Sequence, residues 1–226
     1  MIKKLARLIT IGVSFGLFAG TTPAGAQNKE QELVDKARVT VEKLRKDPEI
    51  GGLNQTLAQA KGVLVIPSLI RAALIIGGEG GSGVLLSRDA KGEWSYPAFY
   101  TMGSGSIGLQ IGAEEAEVIL VIVTDKGLDQ VVKNEFKLGA DASIAVGPKG
   151  VGVAAATTPN LRVDIYSYAK TRGGYAGISL DGSVIRGREE WNKAYYGKAV
   201  TAREVLIEHK HANPAADGLR TALTAR

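Results

Sequence analysis

Cysteine is absent from all 226 residues, histidine and methionine occur twice each, and aromatic side chains make up only 6% of the chain. Each scarcity removes a class of answer. Without cysteine there is no disulfide, no thiol nucleophile and no thiolate ligand, and no lipid can be attached at a cysteine behind a cleaved leader. The two histidines, His209 and His211, stand two apart in a polar stretch. On a helix they point to different faces, whereas a metal site needs three or four converging ligands. Glu114, Glu115 and Glu117 form an acidic cluster, but it lacks the Asp/Asn/Gly spacing of a calcium loop and reads as a solvated turn. Gly103-Ser-Gly-Ser106 imitates the start of a nucleophile elbow, yet no helix and core histidine follow it. The expectation is a protein without catalytic residues, metal or cofactor, and not an enzyme.

Charge of one sign is also in short supply. Lys3, Lys4 and Arg7 precede an apolar run from Leu8 to Ala19 and the small-residue site Ala24-Gly-Ala26. This is the pattern of a signal peptide over residues 1–26, too short and too glycine-diluted for a membrane span. Three of the 28 basic residues lie there, leaving 25 against 23 acids, a balance of +2. That excludes a polybasic nucleic-acid-binding protein. The remaining length suits a single domain over residues 27–210, followed by a polar tail over 211–226 with a helix expected after Pro214. The expected location is exported, periplasmic or envelope-associated, and not a lipoprotein.

What is abundant is glycine, 29 residues, which favours a sheet with many turns over a helical bundle. Two GxGxxG strings occur, Gly78 to Gly83 and Gly103 to Gly108. A dinucleotide cradle needs a helix directly after the glycines. Here Val84-Leu-Leu and Leu109-Gln-Ile follow instead, so both strings read as glycine-rich strand ends. Strands are expected at 62–67, 74–78, 83–87, 94–101, 107–112, 118–124, 138–146, 151–156 and 163–169, with a hairpin of 175–180 and 183–186 about Asp181-Gly182. The run Val118 to Val123 reads as a central strand buried on both faces.

Helices are expected at 29–46, ended by Asp47-Pro48, at 54–60 with Asn54 as N-cap, and at 125–134 behind Thr124. Residues 191–196 read as a short helix or an aromatic turn, and a further helix is expected at 201–208, where Thr201 and Glu204 have capping-box spacing. In the first helix Leu33, Ala37, Val41 and Leu44 share one face. That face either packs on the sheet or enters a lipid interface. The fold class is α+β: a curved, mainly antiparallel, glycine-rich sheet, barrel-like in the limit, with helices at the N-terminus, middle and C-terminus.

The order of several segments carries a resemblance. Ala60 to Ser68, Ile76 to Val84, Trp94 to Ala98, Gly105 to Gly112, Phe136 to Ala140, Ala145 to Pro148, Tyr166 to Tyr168, Gly173 to Gly182 and Tyr195 to Gly197 together resemble the SYLF domain. The resemblance runs over roughly residues 30 to 210. It implies phospholipid binding, with an anionic phospholipid or membrane surface as partner, and membrane contact through the first helix and nearby cations. At the matching positions stand Lys36, Arg38, Lys43, Arg45 and Lys46 on that helix, with Lys61 and Arg71 about the first strand. The alternative is a structural, self-assembling envelope protein. No nucleic acid is expected as a partner.

Overall fold

The structure is a computed structural model that describes residues 29–73, 76–107, 112–147, 163–171, 174–175 and 180–224. The expected leader, the strand at 151–156 and the middle of the hairpin at 176–179 lie outside the described residues. Helices α1 (Lys29–Lys46) and α2 (Leu53–Ala58) precede four long strands: β1 (Gly62–Ala73), β2 (Ile76–Ser87), β3 (Ala98–Ile107) and β4 (Gly112–Ile122). Helix α3 (Asp125–Val132) leads to short strands β5 (Glu135–Lys137) and β6 (Ile144–Val146). Then come β7 (Ile165–Thr171), β8 (Gly174–Tyr175) and β9 (Val184–Gly187), followed by α4 (Glu189–Tyr196), α5 (Ala202–Leu206), a 3-10 turn (Pro214–Ala216) and α6 (Asp217–Thr224).

The sheet order is β5-β9-β3-β2-β1-β4-β7-β6, with β8 beside β7. All described pairings are antiparallel except β6 with β7. Strands β5 and β6 are consecutive in the chain yet occupy opposite edges. Only residues 138–143 join them, a link that spans at most about 24 Å fully extended. The sheet must therefore curl enough to bring its edges within that reach, and it forms a curled half-barrel. This is the expected fold class.

Alternation along each strand makes two cores. Leu64, Ile66, Leu85, Tyr100, Met102, Val118, Leu120 and Ile122 point into the curl, where α3 and α5 add Val131, Val205 and Leu206. Val63, Val65, Val84, Leu86, Phe99, Ile119 and Val121 point outward, beneath Val34, Ala37, Val41 and Leu44 of α1 and Leu219 and Leu223 of α6. The central strands are thus apolar on both faces, as sheets covered on both sides require.

Several sequence expectations are corrected. Pro67 does not end β1. The register slips there against both neighbours, and the extra residue of this bulge returns Leu69 to the inner core beside Ile66. A proline without an N–H is tolerated at such a position. The glycine strings are not strand ends, because Gly78–Gly83 lies within β2 and β3 runs through Gly103 and Gly105. Glu114, Glu115 and Glu117 sit in strand β4, not in a turn. The expected strand 138–146 breaks at Gly139, whose φ is +82°. Asp181-Gly182 does turn, with Gly182 at φ +83°; among the described residues β8 pairs with β7, and β9 with β3 and β5. The N-cap of α2 is Gly52 rather than Asn54. The predicted caps at Thr124 and Thr201 are present, the latter as a full capping box.

The two sheet faces make different demands on glycine. A Cβ on Gly83 would lie 2.5 Å from the Val65 carbonyl oxygen and 2.8 Å from Ile66 Cγ1, and one on Gly81 would lie 2.6 Å from the Ser68 oxygen. On the other face Gly105 has nothing within 4 Å. Gly83→Ala is expected to destabilise by about 2–3 kcal/mol, as overpacking does, and Gly105→Ala to stay within about 0.5 kcal/mol of the parent. Urea midpoints compared side by side check this, and equal midpoints would refute it.

Candidate functional site: a basic cleft between the first and last helices

Helix α1 forms because Val34, Ala37, Val41 and Leu44 recur on one face, with Glu30 and Glu32 in its first turn and Lys43, Arg45 and Lys46 in its last. Acids at the N-terminus and cations at the C-terminus both suit the helix dipole. Val34, Ala37, Val41 and Leu44 are fully buried against the sheet and α6, while Leu33, expected on this face, is partly buried beside them. Of the two uses open to the face, packing is the one observed. What remains outward is the charged side of the helix.

The seven cations singled out by sequence fall into three groups. Arg38, Arg45 and Lys46 converge on one cleft of about 580 Å³, completed by Glu42, Asn54, Gly218, Thr221 and Ala222. Lys36 and Lys43 lie elsewhere on α1, in ion pairs with Glu32 at 2.7 Å and Glu117 at 2.5 Å. Lys61 pairs with Asp125 at 3.2 Å, and Arg71 with Glu79 at 2.8 Å. Arg71 follows the bulge and joins the inner face of the sheet, away from α1.

Within the cleft the three cations are held differently. Arg38 Nη1 donates to Glu42 Oε1 at 2.9 Å, one turn on. Arg45 Nη1 donates to the carbonyl oxygens of Ala222 at 2.5 Å and Leu223 at 3.1 Å, and its Nε donates to Asn54 Oδ1 at 2.8 Å. Asn54 Nδ2 returns a bond to the Arg45 carbonyl at 3.1 Å. Burial lowers the pKa of the Arg45 guanidinium from its ordinary value, without bringing it near neutrality. Lys46 is exposed and makes no ion pair among the described residues. Three cations against one carboxylate leave the cleft positive, and the stems of Arg38, Arg45 and Lys46 with Ala222 line its walls. Such a pocket suits an anion attached to an apolar body.

Sequence reasoning found the α1 side of this cleft and expected the helix after Pro214, which is α6, but did not bring the two together. The expected polar tail is a capped turn and a helix: Asn213 Oδ1 accepts from Ala215 N at 3.1 Å, Pro214 follows, and Leu219, Ala222 and Leu223 are buried. The signal was there in the Asn-Pro start and in the spacing of those apolar residues. Gly218 lets α6 approach, since a Cβ there would lie 3.0 Å from Arg38 Cδ. Among the described residues no three acids or histidines form a metal-ligand group. No described helix is long and apolar enough to cross a membrane.

The profile of the Ysc84 family, described as Las17-binding protein actin regulator, matches residues 103–226. The chain belongs to this family. The resemblance to the SYLF domain drawn from segment order is thereby upheld. SH3 domain-containing YSC84-like protein 1 of Rattus norvegicus is 32% identical over 152 residues, covering 67% of this chain and 44% of the relative. LAS seventeen-binding protein 3 of Saccharomyces cerevisiae is 30% identical over 173 residues, 75% of this chain and 38% of the relative. Protein YSC84 of the same yeast is 30% identical over 174 residues, 75% and 37%. The chain therefore spans less than half the length of these Ysc84 relatives. The cleft joins α1, which precedes the profile match, to α6 inside it.

Proposed function

We propose that this protein binds anionic phospholipid at a membrane surface and carries out no catalysis. The observation that supports this reading is the convergence of Arg38, Arg45 and Lys46 on one cleft. The lipid phosphate enters between α1 and α6, and the exposed outer side of α1 faces the headgroups. Attraction to an anionic surface contributes about 1 kcal/mol per nearby cation and falls with salt. The expected leader adds a place to this proposal: the periplasm or the cell envelope. A protein partner is the second reading, favoured by the names of the yeast relatives, one of which is called LAS seventeen-binding protein 3.

Sedimentation with phosphatidylglycerol vesicles at low salt tests the first reading. Lys46→Glu removes one positive charge and adds a negative one, so it is expected to weaken partitioning by about 2 kcal/mol, roughly 30-fold. Lys61→Glu, outside the cleft, is expected to change it less than about threefold. Equal losses from the two variants would show that the cleft has no special part. No binding to any anionic vesicle would remove the lipid reading altogether.

A further inference from the structure

Arg45 does two jobs that an incoming anion sets against each other. Its guanidinium is a wall of the cleft, and the same Nη1 closes the carbonyls of Ala222 and Leu223 at the end of α6. Those carbonyls belong to the last turn of a helix, where four C=O groups lack intrahelical donors and the dipole is negative. A phosphate in the cleft acts on this contact twice. It offers the guanidinium a charged acceptor in place of neutral carbonyls, and its own charge opposes the negative end of α6.

Helix α6 depends on that contact. It has eight residues, well short of the length at which an isolated helix persists in water. It is held by Leu219 and Leu223 in the outer core, by Arg45, by Arg220 Nε donating to the Trp94 carbonyl at 2.9 Å, and by Tyr96 donating to Asp217 Oδ1 at 2.9 Å. The last two bonds secure its first half. The C-terminal half relies on Arg45 and on Ala222 and Leu223, which pack with α1 in the outer core.

We infer that anion binding in the cleft unlatches the C-terminal half of α6 from α1, so that Ala222 and Leu223 become available to the lipid interface. This rests on the lipid reading for its trigger, and adds a regulated step to it: the domain presents its buried apolar surface only where a phosphate has taken Arg45. Two states are required, docked and released, and the anion favours the released one because it competes for the latch.

Hydrogen exchange followed by mass spectrometry on the intact chain tests this. With phosphatidylglycerol vesicles, amides 221–224 are expected to exchange at least about tenfold faster, while those of β1 to β4 keep their protection. Arg45→Gln is expected to show the faster exchange without vesicles and little further change with them. Leu223→Ala, which loosens α6 from its apolar side, is expected to do the same should the first variant fold poorly. If the parent sediments with vesicles and residues 221–224 stay as protected as in solution, the latch is overturned and the lipid reading stands. If the protein does not sediment, the lipid reading falls, and inorganic phosphate alone then decides the latch. Faster exchange at 221–224 in phosphate supports it, and unchanged exchange overturns it.

Discussion

Glu79→Ala is expected to cost about 2–3 kcal/mol, because it takes the shared acceptor from a half-exposed guanidinium and two hydroxyls. The Glu79 side chain is only 6% exposed. Its Oε2 accepts from Arg71 Nε at 3.1 Å and Nη2 at 2.8 Å, and its Oε1 accepts from Ser104 Oγ at 3.0 Å and Ser183 Oγ at 3.1 Å. Removing the carboxylate strands a guanidinium and two hydroxyls on the inner face at once. There is a second cost. From Gly77 to Gly83 the only side chains on β2 are Glu79 and Ser82, and strands with little side-chain pattern specify their register weakly. Glu79 ties β2 to β1, to β3 and to the residue before β9, so it fixes the register where glycine does not. Urea unfolding with native-state exchange on β2 and β3 measures both effects. A variant within 0.5 kcal/mol of the parent, with β2 still protected, would refute the assignment. Arg71→Ala should resemble it closely, because it leaves the buried carboxylate unpaired.

Asp164→Asn is expected to destabilise the protein by about 2–3 kcal/mol at neutral pH and to remove part of its acid sensitivity. The carboxylate is 4% exposed. It accepts from Thr124 Oγ1 at 2.6 Å, Ser143 N at 3.0 Å, Ser143 Oγ at 2.9 Å and Lys126 Nζ at 3.2 Å. Burial alone would raise its pKa. The bonds from Thr124, Ser143 and Lys126 outweigh that and hold it at about 2. A carboxylate whose folded pKa is depressed stabilises fully above its unfolded value, near 3.8. That contribution, about 2 kcal/mol, is lost as pH falls from there through about 2. The parent should therefore lose more stability than Asp164→Asn between pH 5 and pH 2. Parallel acid limbs in the two proteins would refute the role given to this group.

These two carboxylates show where sequence reasoning reaches and where it stops. Thr124 was legible as a cap because it stands directly before its helix. Asp164, which orients that cap and the approach to β6, comes 40 residues later, and no local pattern joins them. The same holds for the sheet. The apolar runs of β1 and β4 were plain, since a strand buried on both faces needs apolar residues in succession. The glycine stretches were placed at strand ends because glycine weakens strands. In the fold, Gly81 and Gly83 are required mid-strand by the Pro67 bulge, whose displaced Ile66 and carbonyl oxygens occupy the space of a side chain. That requirement is tertiary and has no local signature.

The site divides in the same way. The cations of α1 were found because a helix advertises its faces by spacing. Which of them converge could not be read there, because the opposing wall comes from α6, more than 170 residues away from Arg45. Arg71 illustrates the reverse case. It is near the first helix in sequence, but the bulge turns it to the inner face and into the Glu79 pair.

The strand order has a consequence for how the chain assembles. Strands β5 and β6 are made before β7 and β9, yet β9 lies between β3 and β5, and β7 between β4 and β6. A chain emerging from synthesis can pair β1 through β4 as soon as they appear. The two margins of the sheet then wait, unpaired, until β7 and β9 slot in on either side of the β3-β2-β1-β4 block. The final closing event is thus long-range in sequence and slow in kind. During that interval the inner core stands open, so the period of greatest exposure to aggregation comes late, when most of the chain is already made.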